Sequence, residues 1–157
     1  MVAVLLVTHG DLAQALLSSA ALIMGEAPLI ESHGLYHGDS VDSLKDTIKE
    51  AICRLNACSQ GDGVLILTDL FGGSPSNATA RAMHELQGTV RSECITGVNL
   101  PILLEVATSK SFMKMEELKQ HALEVGGNSI LDLRNQFQIS RLLKGDKLCR
   151  FQLFKPF

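Results

Sequence analysis

Tryptophan is absent from the chain and aromatic residues make up only 4% of it, which argues against stacking platforms for single-stranded nucleic acid. Long apolar runs are missing too. The stretch Val2–Val7 holds six residues, too few for a secretory h-region and far from the ~20 of a membrane span. No basic residue precedes Lys45, so a cytoplasmic protein is expected. Cysteines are few. Cys53, Cys58, Cys94 and Cys149 form no CxxC pair and no zinc framework, and they read as buried or partly buried free thiols of a reducing compartment. A strong charge of either sign is also lacking: 14 Lys and Arg stand against 17 Asp and Glu, a net −3. Nothing there pulls the protein toward nucleic acid or an anionic membrane.

What is present fits one domain. A chain of 157 residues that is 46% hydrophobic and 20% charged buries roughly two-thirds of its unfolded surface without staples. Val2–Val7 is an uninterrupted apolar run, the mark of a strand covered on both faces. Leu12, Leu16, Ala20 and Ile23 then fall at helical spacing, with Gly25 at the expected C-cap. Leu29–Tyr36 is a weaker strand. Val41, Leu44, Ile48, Ala51, Ile52 and Leu55 mark an amphipathic helix capped by Asp39 or Ser40. Gly63–Leu67 is a second buried strand, after which Ser74 is expected to cap a helix beginning at Pro75. Val90–Ile95 is a fourth strand, followed by a helix after Asn99 and another over Met115–Val125 that stops at Gly126-Gly127. Ile130–Leu133 is a candidate short last strand. The alternation argues for an α/β, doubly wound, mainly parallel sheet of about four strands with helices on both faces. Residues 1–134 form the domain, and 135–157 are a basic tail with five cations (Arg141, Lys144, Lys147, Arg150, Lys155) and one acid, Asp146.

In such a sheet, ligands bind beyond the carboxyl ends of the strands. Two ends are chemically unusual. The first strand runs into Thr8-His9-Gly10 and the third into Thr68-Asp69, followed by Leu70-Phe71-Gly72-Gly73-Ser74. If the two strands are neighbours, Asp69 fixes the tautomer of His9 and leaves the other ring nitrogen free as base, ligand or nucleophile. Gly72 and Gly73 permit positive φ or close approach. Ser74 opens a helix whose first amides are unpaired, an anion cradle suited to phosphate. No Walker lysine follows and GxGxxG is absent. A histidine nucleophile beside a phosphate cradle without a nucleotide motif suggests phosphoryl transfer between proteins, requiring neither metal nor cofactor. Thr8 and Asn77 are expected to support the site.

Three segments carry a resemblance: VAVLLVTHGDLAQALLSSAALIMGE, LILTDLFGGSPSNATARAM and ITGVNLPILLEVA. In this order they resemble the mannose-family IIA domains of the bacterial sugar phosphotransferase system, over most of residues 1–134. The resemblance implies that His9 is phosphorylated and Asp69 is its partner. It implies acceptance of phosphate from phospho-HPr and transfer to a IIB domain, with the membrane reached only indirectly through IIC and IID components. It also implies a homodimer, in some members made by exchanging an antiparallel C-terminal strand, for which Ile130–Leu133 is the segment here. Phe71 stands where the family often carries an aromatic, and with Pro101 on the fourth strand's rim it is an expected docking contact. Ser76 departs from the family, which commonly has an aromatic there, and the tail after Arg134 matches neither a linker nor a IIB start.

The remaining histidines read as structural or solvated. His33 and His37 lie four apart in a strand and turn rather than on a helix, and His84 and His121 fall on polar helix sides. Asn99 reads as a helix cap. Three other functions stay open. The phosphorylation could serve regulation rather than transport, or the chain could donate phosphate to a dihydroxyacetone kinase. A small hydrolase using His9 and Asp69 is disfavoured by the lack of a GxSxG elbow.

Overall fold

A computed structural model describes residues 1–139 of the chain. Four strands, β1 (Ala3–His9), β2 (Ile30–Leu35), β3 (Val64–Thr68) and β4 (Ser92–Thr96), alternate with helices α1 (Leu12–Met24), α2 (Val41–Cys58), α3 (Ser74–Glu85) and α4 (Leu100–Ser109). Two more helices, α5 (Met115–Asn128) and α6 (Leu133–Gln136), follow. All pairings are parallel, in the order β2-β1-β3-β4. The doubly wound sheet expected from the alternation is the fold.

The two central strands are apolar up to Thr8 in β1 and up to Thr68 in β3 because both faces are covered. Val4 and Leu6 of β1, with Leu65 and Leu67 of β3, point into one core with Ala13, Ala20, Ile102, Leu103, Val106, Met115 and Leu118 from α1, α4 and α5. Their alternates Ala3, Leu5, Val7, Val64 and Ile66 point into a second core with Leu44, Ile48, Ile52, Ala78 and Ala82 from α2 and α3. Both faces of β1 are therefore dry, and its six residues before His9 are all buried. Each buried Val or Leu contributes about 1.5–3 kcal/mol, which fixes the register of the strand that carries the histidine.

Several local expectations need correction. The weaker strands are shifted: β2 starts at Ile30 after a Leu29 with φ of 54°, and β4 runs from Ser92 to Thr96. Helix α5 does not stop at Gly126-Gly127 but continues to Asn128. Gly126 is there for contact, since a Cβ on it would lie 2.6 Å from Ile102 Cδ1. Ile130–Leu133 is not a strand in this chain. Ile130 and Leu131 are exposed, and the Asp132 carboxylate accepts bonds from the Arg134 and Asn135 amides, starting the one-turn α6 instead. Cys53 and Cys58 are exposed rather than buried, because they lie off the apolar stripe of α2, while Cys94 is half-buried. Residues 140–157, including Cys149 and the basic cluster, lie outside the described residues. Among the described residues, no helix is long and apolar enough to cross a membrane.

Candidate active site

Because β1 has β2 on one side and β3 on the other, the chain winds in opposite directions from its carboxyl end, where α/β sheets open a binding crevice. Val7 pairs with Thr68, so the residues just beyond, His9 and Asp69, emerge side by side. His9 Nδ1 lies 2.8 Å from Asp69 Oδ2, and the same oxygen accepts the His9 backbone N–H at 2.8 Å. The other carboxylate oxygen accepts the Leu70 N–H at 2.8 Å. The Asp69 side chain is 14% exposed and that of His9 is 47% exposed. Burial pushes the Asp69 carboxyl upward, but the bonds from the His9 backbone, the His9 ring and the Leu70 backbone outweigh it and hold the group below the usual carboxylate range. An ionised Asp69 makes Nδ1 the protonated nitrogen of a neutral His9 ring, and leaves the Nε2 lone pair uncommitted.

The glycine turn packs against the far edge of that ring. A Cβ on Gly73 would meet His9 Cε1 at 2.9 Å, so only glycine lets the loop approach the imidazole this closely. Gly72 is required for a different reason, its φ of 78°. The helix entry differs from expectation. Gly73, not Ser74, is the N-cap, and Ser74 is already helical, with Pro75 in the first turn. Side chains close the turn from behind: Ser76 Oγ donates to the Gly73 carbonyl at 2.9 Å and Asn77 Nδ2 to the Gly72 carbonyl at 3.0 Å. The Gly73 amide is spent on the Leu70 carbonyl. Pro75 has no N–H and the Asn77 amide bonds the Gly73 carbonyl, so the Ser74 and Ser76 amides are the donors left at the positive end of α3.

Thr8 is buried, and its Oγ1 accepts the Ala13 N–H at 2.9 Å, doing for α1 what the N-cap residue Asp11 does not. Asp11 instead accepts a hydrogen bond from the Tyr36 hydroxyl at 2.8 Å. The β1–β2 pairing places Tyr36 beside the His9 turn, and Gly10, at φ of 53°, donates to the Leu35 carbonyl. Tyr36 and Asp11 had no sequence signal beyond Tyr36 being the chain's one tyrosine at a strand end. Gly34 belongs with them, since a Cβ there would strike the Gly10 carbonyl oxygen. Leu70 and Phe71 project from the rim, with Phe71 87% exposed. Asn99 caps α4 through the Ile102 amide, and the adjoining loop is tied to β3 by Gly97 and Val98 donating to the Asp69 and Thr68 carbonyls. Pro101 is exposed at this rim.

Among the described residues, none of the other histidines bonds to His9 or Asp69. His37 and His84 are exposed. His33 is half-buried on β2 rather than at the surface, where burial lowers its pKa against the opposing pull of Glu31. His121 is not free in solvent either: its Nε2 lies 2.8 Å from Glu105 Oε1, bridging α5 to α4. Among the described residues, no group of His, Cys, Asp and Glu could hold a metal ion.

Comparison with known proteins agrees with this architecture. Residues 3–123 match the family model described as the PTS system fructose IIA component. The chain belongs to the mannose family of IIA components. It is 34% identical over 118 residues to the fructose-specific EIIA component of Bacillus subtilis, covering 75% of this chain and 77% of that one. It is 31% identical over 122 residues to the sorbose-specific EIIA component of Lacticaseibacillus casei, covering 78% and 83%. Against the mannose-specific EIIAB component of Escherichia coli the identity is 29% over 134 residues, and the match spans 40% of that longer protein. Among solved structures, the EIIA component from Streptococcus agalactiae superposes with a TM-score of 0.77 at 23% identity, covering 86% of this chain and 99% of that one. The mannose/sorbose-specific IIA subunit from Enterococcus faecalis gives 0.67 at 25%, covering 84% and 94%. As a mannose-family IIA domain, the chain is a phosphotransferase-system component.

Proposed function

We propose that this IIA domain is a phosphocarrier whose acceptor atom is His9 Nε2, taking a phosphoryl group from phospho-HPr and passing it to a IIB domain for coupled sugar uptake. The observation that carries the reading is the single oxygen, Asp69 Oδ2, bonded to both the backbone and the ring of His9. It fixes which nitrogen holds the proton and how the ring points. In the first transfer the Nε2 lone pair forms a new N–P bond as the N–P bond on the donor histidine breaks, and the donor ring recovers that electron pair. Nδ1 keeps its proton, which Asp69 stabilises as the ring gains positive character. The transition state is loose and metaphosphate-like, so alignment and the Ser74 and Ser76 amides at the start of α3 do most of the work. The second transfer is the same displacement in reverse sense, onto the acceptor histidine.

Phe71, Leu70 and Pro101 stand exposed around the nucleophile and would meet the partner proteins. A homodimer fits the outer side of α1, a 13-residue helix in which only Ala13 and Ala20 are buried while Leu22 and Ile23 are open. The test is direct. Incubation with phosphoenolpyruvate, enzyme I and HPr should add one acid-labile phosphate, and His9→Ala should accept none. Stoichiometric labelling of that variant would defeat the assignment.

A further inference from the structure

His9 is also held from the side of β1 opposite Asp69. Its strand partner there is Leu35 of β2, and the next amide, that of Gly10, donates to the Leu35 carbonyl at 2.8 Å. Gly10 then turns the chain at φ of 53°. Its carbonyl oxygen fills the space a Cβ on Gly34 would need, and Tyr36 Cε2 lies 3.0 Å from that same position. The turn that carries His9 into α1 is thus packed on β2 and on the Tyr36 ring.

Asp11 closes this turn in an unusual way. It stands at the N-cap of α1, at φ of −85° and ψ of 2°, yet its side chain makes no cap bond. An aspartate there ordinarily bonds an amide of the first helical turn. Asp11 Oδ1 instead accepts the Tyr36 hydroxyl at 2.8 Å, and Thr8 Oγ1 takes the Ala13 amide in its place. Tyr36 is fixed in its turn. Its amide donates to Asp39 Oδ2 at 2.8 Å, and its carbonyl accepts the Asp39 amide at 3.1 Å. Neither residues 9–15 nor residues 36–44 include a Lys or Arg, so the local partner of the Asp11 carboxylate is a neutral phenol. The hydrogen bond to Asp11, and then its charge, raise the Tyr36 pKa above the ordinary tyrosine value, which keeps the hydroxyl a donor at neutral pH.

We propose that Tyr36 is a positioning residue for phosphoryl transfer, locking the Gly10 turn through Asp11 so that His9 is held from β2 as Asp69 holds it from β3. The inference rests on the reading of His9 Nε2 as the acceptor atom. Asp69 grips the His9 amide and ring and nothing beyond them. Gly10, the most permissive kind of residue, is where an unlatched turn would give. Transfer is sensitive to such slack, since a misplacement of about 1 Å costs on the order of 100-fold in rate.

The test compares three substitutions in the full chain. Tyr36→Phe keeps the ring over Gly34 and removes the donor, Asp11→Ala removes the acceptor, and Asp11→Asn keeps an acceptor oxygen. Rapid-quench labelling at varied phospho-HPr separates the maximal rate from the half-saturating concentration. Tyr36→Phe and Asp11→Ala should each lower the maximal rate about tenfold, the loss of one charge-assisted hydrogen bond, with half-saturation unchanged. The double variant should be no slower than either single one, as expected of one shared interaction, and Asp11→Asn should transfer faster than Asp11→Ala. Hydrogen exchange at the Gly10 amide should quicken in the two slow variants while that of Leu65 in the core does not. A maximal rate within about twofold of the parent, a change confined to half-saturation, or losses that multiply in the double variant would each overturn the proposal. Phosphoramidate, a small phosphoryl donor to histidine, keeps the two ideas apart. If phospho-HPr fails to label even the parent, the carrier reading falls, and the same rate comparison with phosphoramidate still decides the role of Tyr36.

Discussion

Replacing Asp69 by Asn keeps the size of the side chain and removes its charge, which isolates what the carboxylate does for His9. In the native protein it accepts three N–H bonds, each at 2.8 Å, two of them from His9. A hydrogen bond to a charged group contributes about 1.5–3 kcal/mol. Losing the charge-assisted ring bond therefore corresponds to a ~10- to 150-fold slower phosphoryl acceptance at a tenfold per 1.36 kcal/mol. The exposure of the His9 ring favours the lower half of that range. The effect on stability has a definite sign. The native carboxyl sits below its ordinary value, so its contribution is complete above the usual carboxylate range of about 4 and fades as the pH falls through the lowered native value. Asp69→Asn should lose that acid-side slope while remaining folded at neutral pH. Rapid-quench transfer of labelled phosphate from phospho-HPr gives the rate, and thermal melts from neutral to acid pH give the linkage. A folded Asp69→Asn protein accepting phosphate within about twofold of the parent, a difference of only ~0.4 kcal/mol, would refute the orienting role.

The two turn glycines should separate. Gly73→Ala, at φ of −70°, suits an alanine backbone but puts Cβ into the His9 ring edge, so phosphorylation should fall sharply with little change in melting temperature. Gly72→Ala meets open space but carries φ of 78°, so it should cost about 1–2 kcal/mol of stability while sparing much of the transfer rate. Lys110 is buried with its ammonium donating to the Pro28 carbonyl, and burial pushes its pKa below the ordinary lysine value. The unfolded chain then binds that proton more tightly, so stability from this group rises with pH toward about 10.4. Melts of Lys110→Met across alkaline pH should lack that gain. The Cys94 thiol is pushed up to about 11, mainly by burial. In a Cys149→Ser background Cys53 and Cys58 should react with Ellman's reagent near pH 8, and Cys94 only on unfolding; three fast thiols in the folded protein would contradict the packing of β4.

The central strands and the two chemical strand ends could be read from the amino-acid order alone. A strand buried on both faces must be apolar at consecutive positions, so VAVLLV and VLIL announced themselves, and polar residues directly after them, His9 and Asp69, had to surface at the rim. The glycine turn and its helix were visible for the same local reasons. Edge strands β2 and β4 are half-covered, which is why their limits slipped, and Gly126 read as a helix stop because contact with Ile102 leaves no mark in the local sequence. Tertiary structure alone decided that β1 and β3 are neighbours, bringing together two side chains 60 positions apart on one carboxylate oxygen. It alone brought Gly73 against the imidazole, tied Asp11 to Tyr36, and turned Ile130–Leu133 away from strand geometry. Short-range patterns record whether a position is wet or dry and which backbone angles it tolerates. Which distant groups meet depends on strand order and register, and these are set by the summed packing of both cores rather than by any one segment.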